Sequence, residues 1–508
     1  MVTAALPVIQ PKSVPTGSPE YETRRAEILG AFADRIPQSL RLPLDLINNP
    51  PTDVSGIPAS CGLLSDLDLE ITENYDAVGL AEAIASRKYT ALTCCLTEWF
   101  LDEAVAQAKG LDDYLAEHGK TIGPLHGVPL SIKIHMPIAG TWSIQSCLAT
   151  LVQDKEDCQM ISILRSLGAV FYCKTNQPQT IMHLESDSLW GRVLNPYNIH
   201  LSAGGSTGGE AALIALKGSV LGIGTDIGGS IRGPSAFSGI YGFKPTTYTL
   251  PMRGFLAAPF SAELNVLCST GPMCRSLRDM DLFMRCVLSA KPHLLDPRLR
   301  AIAWARQLLT DPRYADLVEI KEFKPYGAAD AWSKIRRMYW PDGGSVVKEA
   351  IQSTGEPVFP LSDWIWKDAE PAGMQTAEAV NQMRRERDEF RCDFAADWHA
   401  QDVDVTIGPA FVGPASAHDT AFYWTYTSLY NFVDYPGVVV PTPIKTETGE
   451  SYAADYTPLS DACKHVKQLW EESDFTGAPI NLQIIARKYH DNELFAALTV
   501  LKAIFNLS

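Results

Sequence analysis

The 508-residue chain carries 43 Lys and Arg against 59 Asp and Glu, a formal charge of −16, so neither a nucleic-acid backbone nor an anionic membrane surface is expected as a partner. With 46% hydrophobic and 20% charged residues it can bury a large core and is not a disordered chain. Length alone suggests roughly three domains of about 150 residues each.

Residues 1–20 read as a Pro- and Ser-bearing arm whose apolar run is too short and interrupted for a signal peptide. Residues 21–36 have the spacing of an amphipathic helix, and residues 38–62, rich in Pro, Asn and Ser, read as a connection. Further helices are expected over 67–106. Between Gly123 and Pro245, β-branched runs at 169–173 and 219–223 alternate with helical stretches at 160–167 and 209–216, the texture of an α/β sheet. Charged-faced helices dominate 295–400, where Arg384 to Asp388 form a solvated face. Strands return at 403–407, 437–440 and 480–485. A sheet fed by strands from both halves of the chain argues against independent domains. Apolar runs long enough to span a membrane are absent, the longest being broken by Lys217, and a cytoplasmic location is expected. The 11 cysteines are scattered, without a Cys-x-x-Cys pair, so neither a disulfide framework nor a metal site is indicated.

Glycine is the most informative residue. Of 36 glycines, 12 fall within residues 204–242, where Gly204-Gly205-Ser206-Thr207-Gly208-Gly209 and Gly228-Gly229-Ser230 each set a serine on backbone free to approach a ligand closely. A phosphate loop fails for want of the lysine, and a dinucleotide loop fails because Ile227 stands where the third glycine belongs; cofactors are therefore not expected. Gly204 to Gly208 does match the Gly-x-Ser-x-Gly elbow of α/β-hydrolases. That motif wants a strand before it, whereas residues 195–203 open with a turn and alternate poorly. It also needs an acid and a histidine, and no spacing selects among Asp402, Asp404, His418, His465 and His490. Lys133 ends the apolar stretch 127–133, where desolvation would lower its pKa and make it a neutral base.

Taken together, GVPLSIK (127–133), GGSTGG (204–209), DIGGSIRGP (226–234) and GFKPT (242–246) resemble the blocks of the amidase signature family. CKTNQPQ (173–179), GRVLNPYN (191–198), TSLYNFVDYPGVVVP (427–441) and GAPINLQII (477–485) resemble its fungal acetamidase-like branch. The resemblance runs from about residue 20 to about 500. It implies a single large α/β/α domain with a mixed central sheet covered by helices over residues 76–508, after an arm and helical extension at 1–75.

It also implies an amidohydrolase cleaving linear carboxamides, a small-molecule substrate, through Lys133 as base, Ser206 as proton shuttle and Ser230 as nucleophile. The N–H groups of Ile227, Gly228, Gly229 and Ser230 would form the oxyanion hole, and Asp226 and Arg232 would hold the loop. Residues that bind the rest of the substrate are not readable, and a homodimer is left open. His126 and His135 read as structural or surface residues, Cys147 and Cys173 as core, and Phe422, Tyr423, Trp424, Tyr426 and Tyr430 as core packing before ligand wall. The chain departs from the family where Ile134 follows Lys133 in place of a polar residue, and it looks short at 91–96 and 290–326. Two alternatives stay open: an α/β-hydrolase-type esterase using Ser206, and a catalytically impaired family member.

Overall fold

The computed structural model describes residues 7–89, 100–145, 147–256, 266–301, 319–505 and 507. Eight strands form the central sheet: β1 (Pro129–Lys133), β2 (Val170–Thr175), β3 (Leu221–Asp226), β4 (Tyr241–Lys244), β5 (Ser269–Cys274), β6 (Val405–Gly408), β7 (Gly437–Lys445) and β8 (Pro479–Ala486), in the order β6-β8-β7-β4-β5-β3-β1-β2. The first five are buried along their whole length, which explains why β2 and β3 read as continuous rather than alternating runs. β1 lies parallel to both β2 and β3, and every other pairing is antiparallel. The sheet is therefore mixed, and β6, β7 and β8 join it from beyond residue 400.

Helices cover both faces. On one side α6 (Leu277–Ser289) and α10 (Asp491–Phe505) bury Met280, Phe283, Val287, Leu494 and Leu498 against Leu130, Ile132 and Ile223. On the other, α7 (Ala328–Tyr339), α8 (Ala377–Ala400) and α9 (Thr425–Phe432) surround an aromatic core containing Trp340, Trp366, Trp398 and Trp424. Hydroxyls start several of these helices: Ser276 accepts from Asp279 N and Thr376 from Ala379 N. α1 (Pro19–Arg35) is capped by Ser18 and docks through Tyr21, 2% exposed, which packs with Ile144 and Leu189. Single α/β/α architecture thus replaces the three domains that length suggested.

Most of the expected elements recur within a few residues, but β4, β5 and α6 were not among them, the helix expected to end at 106 runs on to His118, and two further differences concern the expected loops. Residues 38–62 contain short helical turns at Leu44–Asn48 and Ile57–Ser60, and a strand, Asn198–Ser202, does precede the first glycine cluster. That strand pairs in a two-stranded hairpin with Leu194–Asn195, outside the central sheet, so it is not the sheet strand on which a nucleophile elbow is built. The apparent shortening at 91–96 lies outside the described residues, as does the middle of the second region, at 302–318. Among the described residues no helix is long and apolar enough to cross a membrane, and no group of His, Cys, Asp or Glu is placed to hold a metal.

Candidate active site

The carboxyl ends of the parallel strands gather the polar groups, as open α/β sheets do. In register, Ser131 faces Gly222 and Lys133 faces Thr175, so the end of β1 sits between the ends of β2 and β3. Lys133 is fully buried, and its Nζ donates to Ser206 Oγ at 2.5 Å and to Thr225 Oγ1 at 3.3 Å. Burial brings the ammonium down to about 7, against the partial support of nearby Cys268, Asp226 and Glu210. Glu210, on α4 (Gly208–Ala215), is also fully buried. It accepts from Ser131 Oγ and, at 2.6 Å, from Thr175 Oγ1, and burial pushes its carboxyl up to about 7.

Ser206 follows Gly205 across a cis peptide and is 1% exposed, whereas Ser230 is 7% exposed. Of the three groups, Ser230 alone faces the cleft, whose empty volume is about 200 Å³ and which Met182, His183, Leu184, Ile227, Gly228 and Trp424 also line. The two serine loops are tied by Thr207 N donating to Ser230 O at 3.1 Å. Among the described residues the two serine hydroxyls are not hydrogen-bonded to each other: Ser206 Oγ meets Lys133, and Ser230 Oγ has no side-chain partner.

The loop 227–230 is held by its carbonyls. Tyr339 Oη donates to Ile227 O at 2.6 Å and Thr427 Oγ1 to Gly228 O at 2.7 Å, while Gly233 N donates to Gly229 O at 2.7 Å. In a trans peptide the N–H points opposite its carbonyl, so these bonds aim the N–H groups of Gly228, Gly229 and Ser230 to the other side. The Gly229 N–H, however, donates to Asp226 Oδ1 at 2.9 Å. Of the four expected oxyanion donors, Gly229 is thus bonded to the carboxylate, while among the described residues none of the loop or side-chain hydrogen bonds uses the N–H of Ile227, Gly228 or Ser230. Gly229 needs to be glycine, for its φ is +130° and a Cβ would fall 2.1 Å from Thr427 Oγ1.

Asp226 and Arg232 are both fully buried and build one network. Arg232 Nε and Nη2 contact the two carboxylate oxygens at 3.0 and 3.1 Å, and the guanidinium also reaches Gln483 Oε1, Thr427 O and Asn431 Oδ1. Asp226 further accepts from Ile231 N, Arg232 N and Asn431 Nδ2. Burial alone would raise its carboxyl, but Arg232, with Lys244 and Asn431, outweighs that and holds it far below the ordinary range.

Other expected residues fall elsewhere. Cys147 and Cys173 are core, and His126 is buried, accepting from Ile122 N at its Nδ1. His135 is no surface residue: it is buried beside the lysine, with Nδ1 on Gln177 Oε1 at 2.9 Å and Nε2 on Thr225 Oγ1 at 3.4 Å. The histidines an esterase triad would draw on are engaged away from Ser206: His418 with Glu185, His465 with Tyr423 and His490 with Glu493. Of the aromatic stretch, Trp424 and Tyr430 are core and Trp424 also lines the cleft, while Tyr426 is 43% exposed. Thr225, Glu210, His183, Asn431 and Gln483 were not foreseen. Asn431 and Gln483 are polar residues inside apolar blocks, a signal that buried polar groups have partners.

The fold and the comparisons define a hydrolase that cleaves amides. A family profile described as Amidase matches residues 81–302 and 302–495, and the chain belongs to the amidase signature family. It is 37% identical to a Schizosaccharomyces pombe protein named as an amidase, covering 90% of this chain and 93% of that one. It is 30% identical to the acetamidase of Aspergillus oryzae, over 87% and 92% of the two chains. Among solved structures, a fatty acid amide hydrolase superposes with a TM-score of 0.85 at 28% identity, covering 99% of this chain and 98% of that one.

Proposed function

We infer that the protein hydrolyses small linear carboxamides to carboxylate and ammonia or amine through Lys133, Ser206 and Ser230. The observation that carries this reading is the 2.5 Å contact between Ser206 Oγ and the fully buried Lys133 Nζ. An amine neutral near pH 7 can take the Ser206 proton, and Ser206 can in turn take that of Ser230, which needs a positioned base to become a nucleophile. The Ser230 oxygen adds to the amide carbonyl, whose oxygen gathers charge before the N–H groups of Ile227, Gly228 and Ser230. As the C–N bond breaks, the proton held at Lys133 returns through Ser206 to the leaving nitrogen. Water then cleaves the acyl-enzyme by the same relay. The relay requires Ser230 Oγ to come within hydrogen-bond reach of Ser206 Oγ, a contact of the kind that tightens when substrate binds.

The test is covalent labelling by a fluorophosphonate alongside hydrolysis of a panel of aliphatic and aryl amides. Ser230→Ala should lose both. Full labelling in Ser230→Ala, with loss in Ser206→Ala, would overturn the assignment in favour of an esterase-like nucleophile at Ser206, and a folded parent that takes no label would mark an impaired enzyme.

A further inference from the structure

The relay leaves buried groups beside Lys133 unused, His135 among them. His135 is 4% exposed, and Phe255 packs edge-on to its ring at 5.9 Å. Its hydrogen-bonding partners determine where its proton sits. Gln177 Nε2 donates to Ile144 O at 2.9 Å, a carbonyl that can only accept, so the amide is oriented with Oε1 toward His135. Nδ1, 2.9 Å from that oxygen, must carry the hydrogen. Burial, then the nearby charge of Lys133, holds the ring well below its ordinary range and hence neutral, so Nε2 is a bare acceptor.

Among the described residues the acceptor at Nε2 has one donor within reach, the Thr225 hydroxyl at 3.4 Å. A hydroxyl has a single hydrogen. Once Thr225 gives it to His135, Thr225 can offer only lone pairs to Lys133 Nζ, 3.3 Å away. Lys133 must therefore spend an N–H on Thr225. A neutral amine has two N–H bonds and one lone pair, and fixing one N–H leaves the lone pair free to turn toward Ser206 Oγ. The chain Gln177, His135, Thr225, Lys133 is thus polarised in one direction, ending at the base.

We propose that His135, acting through Thr225, is a positioning residue that orients the Lys133 amine so that its lone pair receives the Ser206 proton. The inference rests on Lys133 being the base of the relay. Other charged groups near the amine, Glu210 from α4 and Asp226 from β3, exert their influence on Lys133 through space and do not direct a hydrogen at it.

The experiment measures the rate of fluorophosphonate labelling of Ser230 against pH in the full chain, which needs no knowledge of the natural substrate. Thr225→Val keeps the shape and removes the hydroxyl, and His135→Phe keeps a ring and removes the acceptor. Each should slow labelling about tenfold or more near neutral pH, the scale of one lost hydrogen bond to a charged or charging group, and move the midpoint of the acid limb, with the concentration for half-maximal rate unchanged. Thr225→Ser should restore the rate. The double variant should be no slower than the slower single one, because the two residues act as a unit. Additive losses, or singles that label at the parent rate and midpoint, would overturn the proposal; should His135→Phe not fold, Thr225→Val and Thr225→Ser decide it alone. Lys133→Ala and Ser206→Ala separate the two levels: labelling retained in these refutes the relay itself, while labelling lost in these but unaffected in Thr225→Val refutes only the positioning role.

Discussion

Replacing Lys133 by Met should abolish hydrolysis while relieving a standing burden on the fold. Burial brings the ammonium from 10.5 to about 7, whereas in the unfolded chain it regains its ordinary affinity for protons. Between those two values the unfolded state binds more protons, so stability rises with pH there. The penalty is complete below about 7, where the folded protein carries a buried charge or strips it at equal cost, and is gone above about 10.5. At 1.36 kcal/mol per pH unit it amounts to about 4 kcal/mol at pH 7.5 and about 1.4 kcal/mol at pH 9.5. Methionine carries no such penalty, so the stability of the parent minus that of Lys133→Met should climb by about 2.5 kcal/mol across that window. The hydrogen bonds to Ser206 and Thr225 lost with the lysine form a constant offset in that difference. Urea unfolding of both proteins at pH 7.5, 8.5 and 9.5 reads the effect from the midpoints at a common slope. Parallel pH dependence in the two proteins would refute the picture of a desolvated lysine.

The same titration should set the acid limb of catalysis: labelling of Ser230 rises about tenfold per pH unit below about 7 and levels off above it, because only the neutral amine accepts a proton. A flat profile from pH 5.5 to 8.5 would rule Lys133 out as the base. Asp226→Asn leaves Arg232 buried at 0% exposure with no counter-charge, and should destabilise by about 3–5 kcal/mol in urea unfolding; a change under about 1 kcal/mol would mean that the pair does not hold the loop. Gly229→Ala forces a Cβ against Thr427 Oγ1 at a φ of +130°, and should slow labelling far more than it shifts the unfolding midpoint. Labelling at the parent rate would show the loop to be tolerant of that distortion.

β2 and β3 were readable because they are buried along their whole length and appear as short apolar runs, whereas β4 (YGFK) and β5 (STGPMC), equally buried, carry Gly, Pro and polar residues that hide them. Lys133 and Ser206 could be expected together only through the family resemblance of their blocks, and the structure places Lys133 Nζ 2.5 Å from Ser206 Oγ. What could not be read was direction. The N–H of Gly229 lies in the same loop as that of Gly228, and only the place of the Asp226 carboxylate, fixed by Arg232 and Asn431, decides that one is taken and the other not. His135 is a single histidine near a lysine in sequence, and nothing there reveals that Gln177 sets its tautomer from 42 residues away. Glu210 follows the glycine cluster as an ordinary helical residue of α4. Its burial arises because Gly222 of β3 lacks a side chain: a Cβ there would fall 1.9 Å from Glu210 Oε1, so the carboxylate occupies space that the strand leaves.

The departure at Ile134 takes on a different meaning in this light. Along a chain leaving a strand, successive side chains point to opposite sides, so the residue after Lys133 cannot share its surroundings. Ile134 packs instead against the cluster of Tyr21, Ile144 and Leu189, beneath the N-terminal helix α1, and its main-chain N–H donates to Thr175 O at 3.1 Å. A carboxylate at that place would meet apolar side chains from α1 and would be costly to bury. The isoleucine thus belongs to the docking of the helical extension, while the polar contact beside the lysine is made one residue later, by His135 through Thr225. If that division holds, Ile134→Asp should loosen the extension, visible as faster proteolysis near residue 20 and a lower unfolding midpoint, and should leave the pH midpoint of labelling where it was. A shifted midpoint with an intact extension would place residue 134, not His135, in contact with the base.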